Sequence, residues 1–130
     1  KNPLRLVIDK DLKLPSSLHL LDGTIPTLVF TSKKKKSTTN LEYIQFPKNV
    51  IELEFVLSTL YERKIVSIII EGGTKLLHSF IKQNLWQEAR IFTSDKVIGK
   101  GIVAPILTGK ITATMQLKND TLVVIKNTNS

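Results

Sequence analysis

The sequence predicts an α/β fold: a mostly parallel sheet with flanking helices, closed by a C-terminal antiparallel hairpin. Three observations predict it. Short aliphatic and β-branched runs alternate with two stretches of helical period. One run, residues 65–70, ends in Glu71-Gly72-Gly73, and apolar residues then recur at Leu76, Leu77, Phe80, Ile81 and Leu85, the spacing of one helix face. The last two runs, 111–117 and 121–126, alternate around Asn119-Asp120, where both residues tolerate the left-handed conformation a tight hairpin needs.

Each element follows in order. Residues 4–9 read as a strand leaving through Asp9-Lys10-Asp11. Pro15-Ser16-Ser17 and Asp22-Gly23 mark turns, with Leu18, Leu20 and Leu21 in a short packed turn between them. Residues 27–31 are a second buried strand, which opens into the lysine run 33–36 and a polar loop. Residues 42–46 alternate as a third strand, stopped by Pro47. Residues 50–64 have helical period, with Ile51, Leu53, Val56, Leu57, Leu60 and Tyr61 on one side. Asn49 is the expected N-cap, Glu52 and Glu54 suit the first turn, and Arg63 and Lys64 suit the last. Residues 65–70 form a continuous apolar run, expected as a buried parallel strand. A helix follows, with Trp86 plugging its end. Residues 88–93 make another strand and 96–107 a loop before the hairpin. Parallel strands separated by helices imply right-handed crossovers.

The chain of 130 residues fits one domain, and a hydrophobic fraction of 42% supplies a core. No apolar run approaches the roughly 20 residues that span a bilayer. With no cysteine, disulfides, thiolate metal sites and thiol nucleophiles are excluded, and a cytoplasmic setting fits. His19 and His78 have no metal-ligand spacing. A net charge of +8 favours anionic partners such as phosphorylated metabolites or a nucleotide cofactor. Nucleic acid is disfavoured, because only 6% of residues are aromatic and none interleave with the lysines. The chain starts abruptly, without methionine, as a segment of something longer would.

A strand ending in glycines at a helix start gathers free N–H groups and the positive end of a helix dipole, a place suited to phosphate. In open α/β sheets ligands lie beyond the carboxyl ends of the strands. Three such ends then matter together: Asp9-Lys10, Thr31-Ser32-Lys33 and Glu71-Gly72-Gly73. This suggests a nucleotide laid across strand ends. Neither GxGxxG nor GxxxxGK[ST] is present. A plain structural reading of the glycines, as positive φ or close packing, stands beside the phosphate reading. Glu71 reads either as a cap or ion pair for the turn, or as an acceptor for a ligand's amino or hydroxyl groups.

Residues 3–9, with Leu12 and Leu14-Pro15, resemble the start of the second half of the reductase domain of bifunctional riboflavin-biosynthesis deaminase–reductases. Glu71-Gly72-Gly73-Thr74-Lys75-Leu76 resembles that family's Glu-Gly-Gly-x-x-Leu signature. Residues 85–90 and 96–101 resemble its following strand and its lysine–glycine loop. The resemblance implies a dihydrofolate-reductase-like fold and NADPH-dependent reduction of 5-amino-6-(5-phosphoribosylamino)uracil to the ribitylamino form. It implies that Glu71 contacts substrate, that Gly72, Gly73, Thr74, Lys75 and Leu76 cradle the cofactor pyrophosphate, and that Lys10 lies by the cofactor. By analogy with the fold, Thr31, Ser32 and Lys33 lie near the adenosine or its 2′-phosphate. No catalytic acid or base and no metal ligand is assigned to this chain; zinc belongs to a deaminase domain absent from it.

The sequence departs from the family pattern at Gln87 and at Ser94-Asp95-Lys96, positions that read as structural. The upstream strand and helix region of the reductase domain is also absent, so the expectation is a chain carrying mainly the cofactor half of the site. Expected partners are NADPH, the phosphorylated pyrimidine and a second copy in a homodimer. The alternatives are a non-catalytic nucleotide-binding or dimerisation module and, less favoured, a basic nucleic-acid-binding domain.

Overall fold

The computed structural model describes residues 2–48 and 50–129. The chain divides into two compact units, Lys1–Ser67 and Ile68–Ser130, and each is considered by itself.

In the first unit, β1 (Arg5–Ile8), β2 (Thr27–Thr31) and β3 (Leu41–Gln45) form a parallel sheet in the order β1-β2-β3. β2 is central and buried along its whole length, its apolar Leu28, Val29 and Phe30 flanked by the buried Thr27 and Thr31. Register places Val7, Val29 and Tyr43 side by side on one face and Leu6, Leu28 and Glu42 side by side on the next residues of the same strands. The Val7, Val29 and Leu41 core is covered by Leu12, Leu20 and Leu21 from the long β1–β2 connection, which contains the 3-10 turn His19–Leu21. Phe30, Phe46 and Phe55 make a second cluster, with ring centroids 5.8–6.4 Å apart. Phe55 comes from α1 (Leu53–Glu62), whose Leu53, Val56 and Leu60 are buried. Arg63 anchors the end of α1 to β3 through two bonds to the Glu42 carboxylate, at 2.8 and 2.6 Å.

The strand connections differ from the expectation. β1–β2 and β2–β3 are joined by loops rather than helices. Thr38 and Leu41 exchange backbone hydrogen bonds, so the lysine loop turns back beside β3 without needing a crossover helix. α1 is shorter than its apolar period suggests. Glu52 is its N-cap, Arg63 its C-cap, and Lys64 follows at φ 63°, so both basic residues lie past the last turn. Ile51 and Tyr61 are exposed. The expected cap Asn49 lies outside the described residues.

Residues 65–70 form no strand, contrary to the reading of a buried one. Val66 and Ile69 are 86% and 88% exposed. A strand buried on both faces needs neighbours on both edges, and among the described residues none pairs with this segment.

In the second unit, α2 (Thr74–Lys82) precedes β4 (Glu88–Ser94), β5 (Lys110–Leu117) and β6 (Asp120–Lys126). These strands form their own antiparallel sheet, β4-β6-β5. The hairpin therefore pairs with β4 within this sheet. Its turn is Lys118-Asn119, with positive φ at Lys118 (53°). Asp120 is already paired with Leu117, so the turn falls one residue earlier than expected. Asn127 ties the chain end back, its side-chain amide donating to the Trp86 carbonyl and to Asn84 Oδ1.

Candidate cofactor and substrate site

In the first unit the sequence-predicted residues Lys10, Thr31, Ser32 and Lys33 are brought together. The parallel ladder continues past the strand ends, because Asp9 donates to the Phe30 carbonyl at 2.9 Å and Ser32 to the Lys10 carbonyl at 2.8 Å. The Thr31 hydroxyl donates to the same Lys10 carbonyl at 2.9 Å and accepts the Lys33 N–H at 3.2 Å. Asp9 shapes the adjoining loop, its two carboxylate oxygens each accepting a backbone N–H, from Lys13 and Leu14, at 2.9 Å. Among the described residues Lys10 and the lysines at 33–36 form no ion pair. Lys35 rests 4.6 Å from the centroid of the Tyr43 ring, a contact worth about 0.5–1 kcal/mol at an exposed position.

Sequence reasoning missed Gln45. Its side-chain amide donates to the Ser32 carbonyl at 3.2 Å, while the Phe46 N–H donates to the Thr31 carbonyl at 2.8 Å. The strand alternation of residues 41, 43 and 45 was the available signal. A cavity of about 200 Å³ also lies in this unit, lined by Asp9, Leu12, Val29, Lys35, Leu41 and Tyr43 among others. It is smaller than the roughly 300–1,000 Å³ of small-molecule pockets, so it does not serve as a dinucleotide pocket.

In the second unit Glu71, Gly72, Gly73, Thr74, Lys75 and Leu76 are contiguous at the start of α2. Gly73 is the N-cap. The Leu76 and Leu77 N–H groups both donate to its carbonyl, so Leu76 offers no free donor. The N–H groups of Thr74 and Lys75 have no acceptor within the helix. Thr74 does not cap; its hydroxyl donates to the Val103 carbonyl at 3.3 Å and tethers the loop before β5. Glu71 is exposed and has no hydrogen-bond or ion-pair partner among the described residues. The cap and ion-pair readings of this carboxylate therefore have no support.

The two glycines differ. A Cβ on Gly72 would come within 2.7 Å of the Leu76 side chain, so packing accounts for that glycine. Gly73 has φ −65° and ψ 163°, open to any residue, and a Cβ there would meet nothing within 4 Å. Neither conformation nor packing requires glycine at this place.

The family model of the RibD C-terminal domain matches residues 1–128. The chain belongs to the RibD C-terminal domain family. Among curated relatives, a riboflavin biosynthesis protein RibD from Bacillus amyloliquefaciens is 30% identical over 115 residues, covering 82% of this chain and 31% of the relative. A 2,5-diamino-6-ribosylamino-4(3H)-pyrimidinone 5′-phosphate reductase from Archaeoglobus fulgidus is 32% identical over 104 residues, covering 75% of this chain and 48% of the relative. The chain thus spans about a third of the RibD relatives and about half of the reductase. Among solved structures, the diaminohydroxyphosphoribosylaminopyrimidine deaminase/5-amino-6-(5-phosphoribosylamino)uracil reductase of Thermotoga maritima superposes with a TM-score of 0.81 at 22% identity. The match covers 98% of this chain and 38% of that one. The α/β architecture is therefore that of the RibD reductase fold.

Two observations test whether NADPH fits the residues present. Gly73 leaves open space beside the first two N–H groups of α2, which have no acceptor within the helix, a cradle that a side chain would fill. Ser32 Oγ is buried and has no hydrogen-bond partner among the described residues, beside Lys10 and Lys33 in the ladder. Both suit phosphate oxygens. Among the described residues no group of three or more His, Cys, Asp or Glu side chains could hold a metal ion.

Proposed function

We propose that this chain carries mainly the cofactor-binding part of a riboflavin-biosynthesis reductase. The reaction is the NADPH-dependent reduction of 5-amino-6-(5-phosphoribosylamino)uracil to the ribitylamino form. Family membership and the reductase relatives support the reading, and the observation that carries it is Gly73, a glycine that the protein's own backbone and packing do not need.

When bound, NADPH supplies the hydride, so the protein's task is binding, orientation and electrostatics. The Thr74 and Lys75 N–H groups at the positive end of α2 hold the pyrophosphate, aided by the Lys75 charge. Lys10, Ser32 and Lys33 receive the adenosine 2′-phosphate. Glu71, solvated and unpaired, accepts hydrogen bonds from the substrate and orients it. The test is Glu71→Gln in the full polypeptide, assayed by NADPH oxidation. A hydrogen bond to a charged group is worth about 1.5–3 kcal/mol, so turnover should fall about 10- to 100-fold while NADPH affinity stays within about twofold. Unchanged turnover would remove Glu71 from the substrate site.

The setting proposed is cytoplasmic; no helix among the described residues is long and apolar enough to cross a membrane. A homodimer is proposed on the open face of the antiparallel sheet. There Phe92 and Met115 lie on either side of the buried Leu122 across the strands, and they are 64% and 45% exposed. Light scattering on the purified chain measures its mass, and a strictly monomeric mass would refute the dimer.

A further inference from the structure

We infer that Thr31 is a positioning residue: its hydroxyl sets the spacing of a phosphate subsite made by Lys10, Ser32 and Lys33, and so the preference for a 2′-phosphorylated dinucleotide. The inference rests on the cofactor reading above and gives Thr31 a different part from direct contact with the nucleotide.

Thr31 is 0% exposed, and its single O–H is spent on the Lys10 carbonyl. Its oxygen accepts the Lys33 N–H. It therefore has no donor left for a ligand. What it does is join the exits of β1 and β2. The Lys10 carbonyl is held twice, by this hydroxyl and by the Ser32 N–H at 2.8 Å, and Lys33 is held by the same oxygen. One buried atom thus fixes the backbone of both cationic residues. Ser32, next in the chain to Thr31, has its carbonyl fixed by Gln45 and its hydroxyl buried without a partner among the described residues.

An unsatisfied buried hydroxyl costs about 1–3 kcal/mol, and a phosphate oxygen arriving beside it would remove that cost. Two cations that lack acidic partners favour a dianionic group over a neutral hydroxyl, by an amount that varies inversely with distance. Spacing therefore governs discrimination, and Thr31 governs spacing. Valine has nearly the same shape as threonine but offers neither bond.

Calorimetric titration of the chain with adenosine 2′,5′-bisphosphate and with 5′-AMP tests this. Wild type should bind the bisphosphate at least about tenfold more tightly, the ratio expected from one charge-assisted hydrogen bond. T31V should lower that ratio about fivefold or more while AMP affinity holds within about twofold, and T31S should restore it, since the hydroxyl is what matters. A T31V variant that weakens both ligands equally, or neither, overturns the inference and leaves the cofactor reading intact. Wild type that binds neither the bisphosphate nor NADPH overturns the cofactor reading itself. Should T31V fail to fold, Lys10→Gln and Lys33→Gln carry the test, and an unchanged ratio in both overturns the subsite.

Discussion

At Gly73 the first residue position before α2 is filled by a glycine with no side-chain cap bond. Aspartate is among the preferred N-cap residues, and its carboxylate would also suit the helix dipole. Gly73→Asp should therefore raise α2 stability by a few tenths of a kcal/mol. On the proposed function it should also lower NADPH affinity by about tenfold or more, because a charge and a Cβ enter the space proposed for phosphate. Urea unfolding and NADPH titration measured on one preparation check both signs. Loss of affinity accompanied by loss of stability would point to a structural role instead. At this scale the sequence made Glu71, the glycine pair and the lysines legible as candidates, because charge and missing side chains are visible in the letters. It did not separate Gly72 from Gly73, since the Leu76 side chain that distinguishes them is a matter of packing. Nor did it show that Thr31 turns inward, because a threonine ending a strand reads the same whether its hydroxyl meets solvent or a neighbouring carbonyl.

The elements hold their positions through a few named contacts. Glu42 on β3 has its pKa lowered, first by the hydrogen bonds from Arg63, and Arg63 has its own raised by the same bonds. A carboxylate with a lowered folded pKa contributes stability above its unfolded value of 4.5, and that contribution is lost as pH falls through the lower folded value. The Arg63 shift lies in the range where arginine stays charged and adds nothing to this window. Both side chains are about two-fifths exposed, so screening limits the pair to about 0.5–1 kcal/mol even in bidentate geometry. Arg63→Ala should cost about that much at pH 7 and nearly nothing below the folded pKa of Glu42; urea midpoints across pH 2–7 check it. Ahead of β5, a Cβ on Gly109 would collide with the Lys126 carbonyl oxygen. Gly109→Ala should therefore destabilise by about 1–3 kcal/mol. Gly101→Ala, with open space around it, should stay within about 0.5 kcal/mol in the same thermal melts. β2, β4 and the hairpin strands were legible because their patterns match a sheet that this chain itself completes. Residues 65–70 carry an equally strong pattern and form no strand, because a pattern states what a segment buries against without supplying the partner.

For the molecule as a whole, two compact units meet in sequence at Ser67 and Ile68, inside that same apolar run. Val66 and Ile69 there, and Val97, Ile98, Ile102, Val103 and Ile106 in the loop before β5, are all about four-fifths or more exposed. Thermolysin cuts before large aliphatic residues in exposed backbone without secondary structure, the usual place of nicking. Its first cuts should fall within 65–70 and 97–106, with β2 and α1 spared, as mass spectrometry of early time points would show. Initial cleavage inside β2 would contradict the burial described. The α/β class was legible from order and spacing along the chain. The division into two sheets was not, since hydrogen-bonded neighbours are set by three-dimensional pairing and strand letters alone do not record it.

The exposed run at residues 65–70 has a consequence for handling. It is short, β-branched, uncharged and free of proline, the composition of a cross-β seed. Lys64 and Glu71 bracket it with opposite charges and so act as gatekeepers against fibril growth. Neutralising Glu71 removes one of them. A Glu71→Gln preparation is therefore expected to self-associate sooner at high concentration, and its activity is best compared with wild type in dilute, freshly filtered solution.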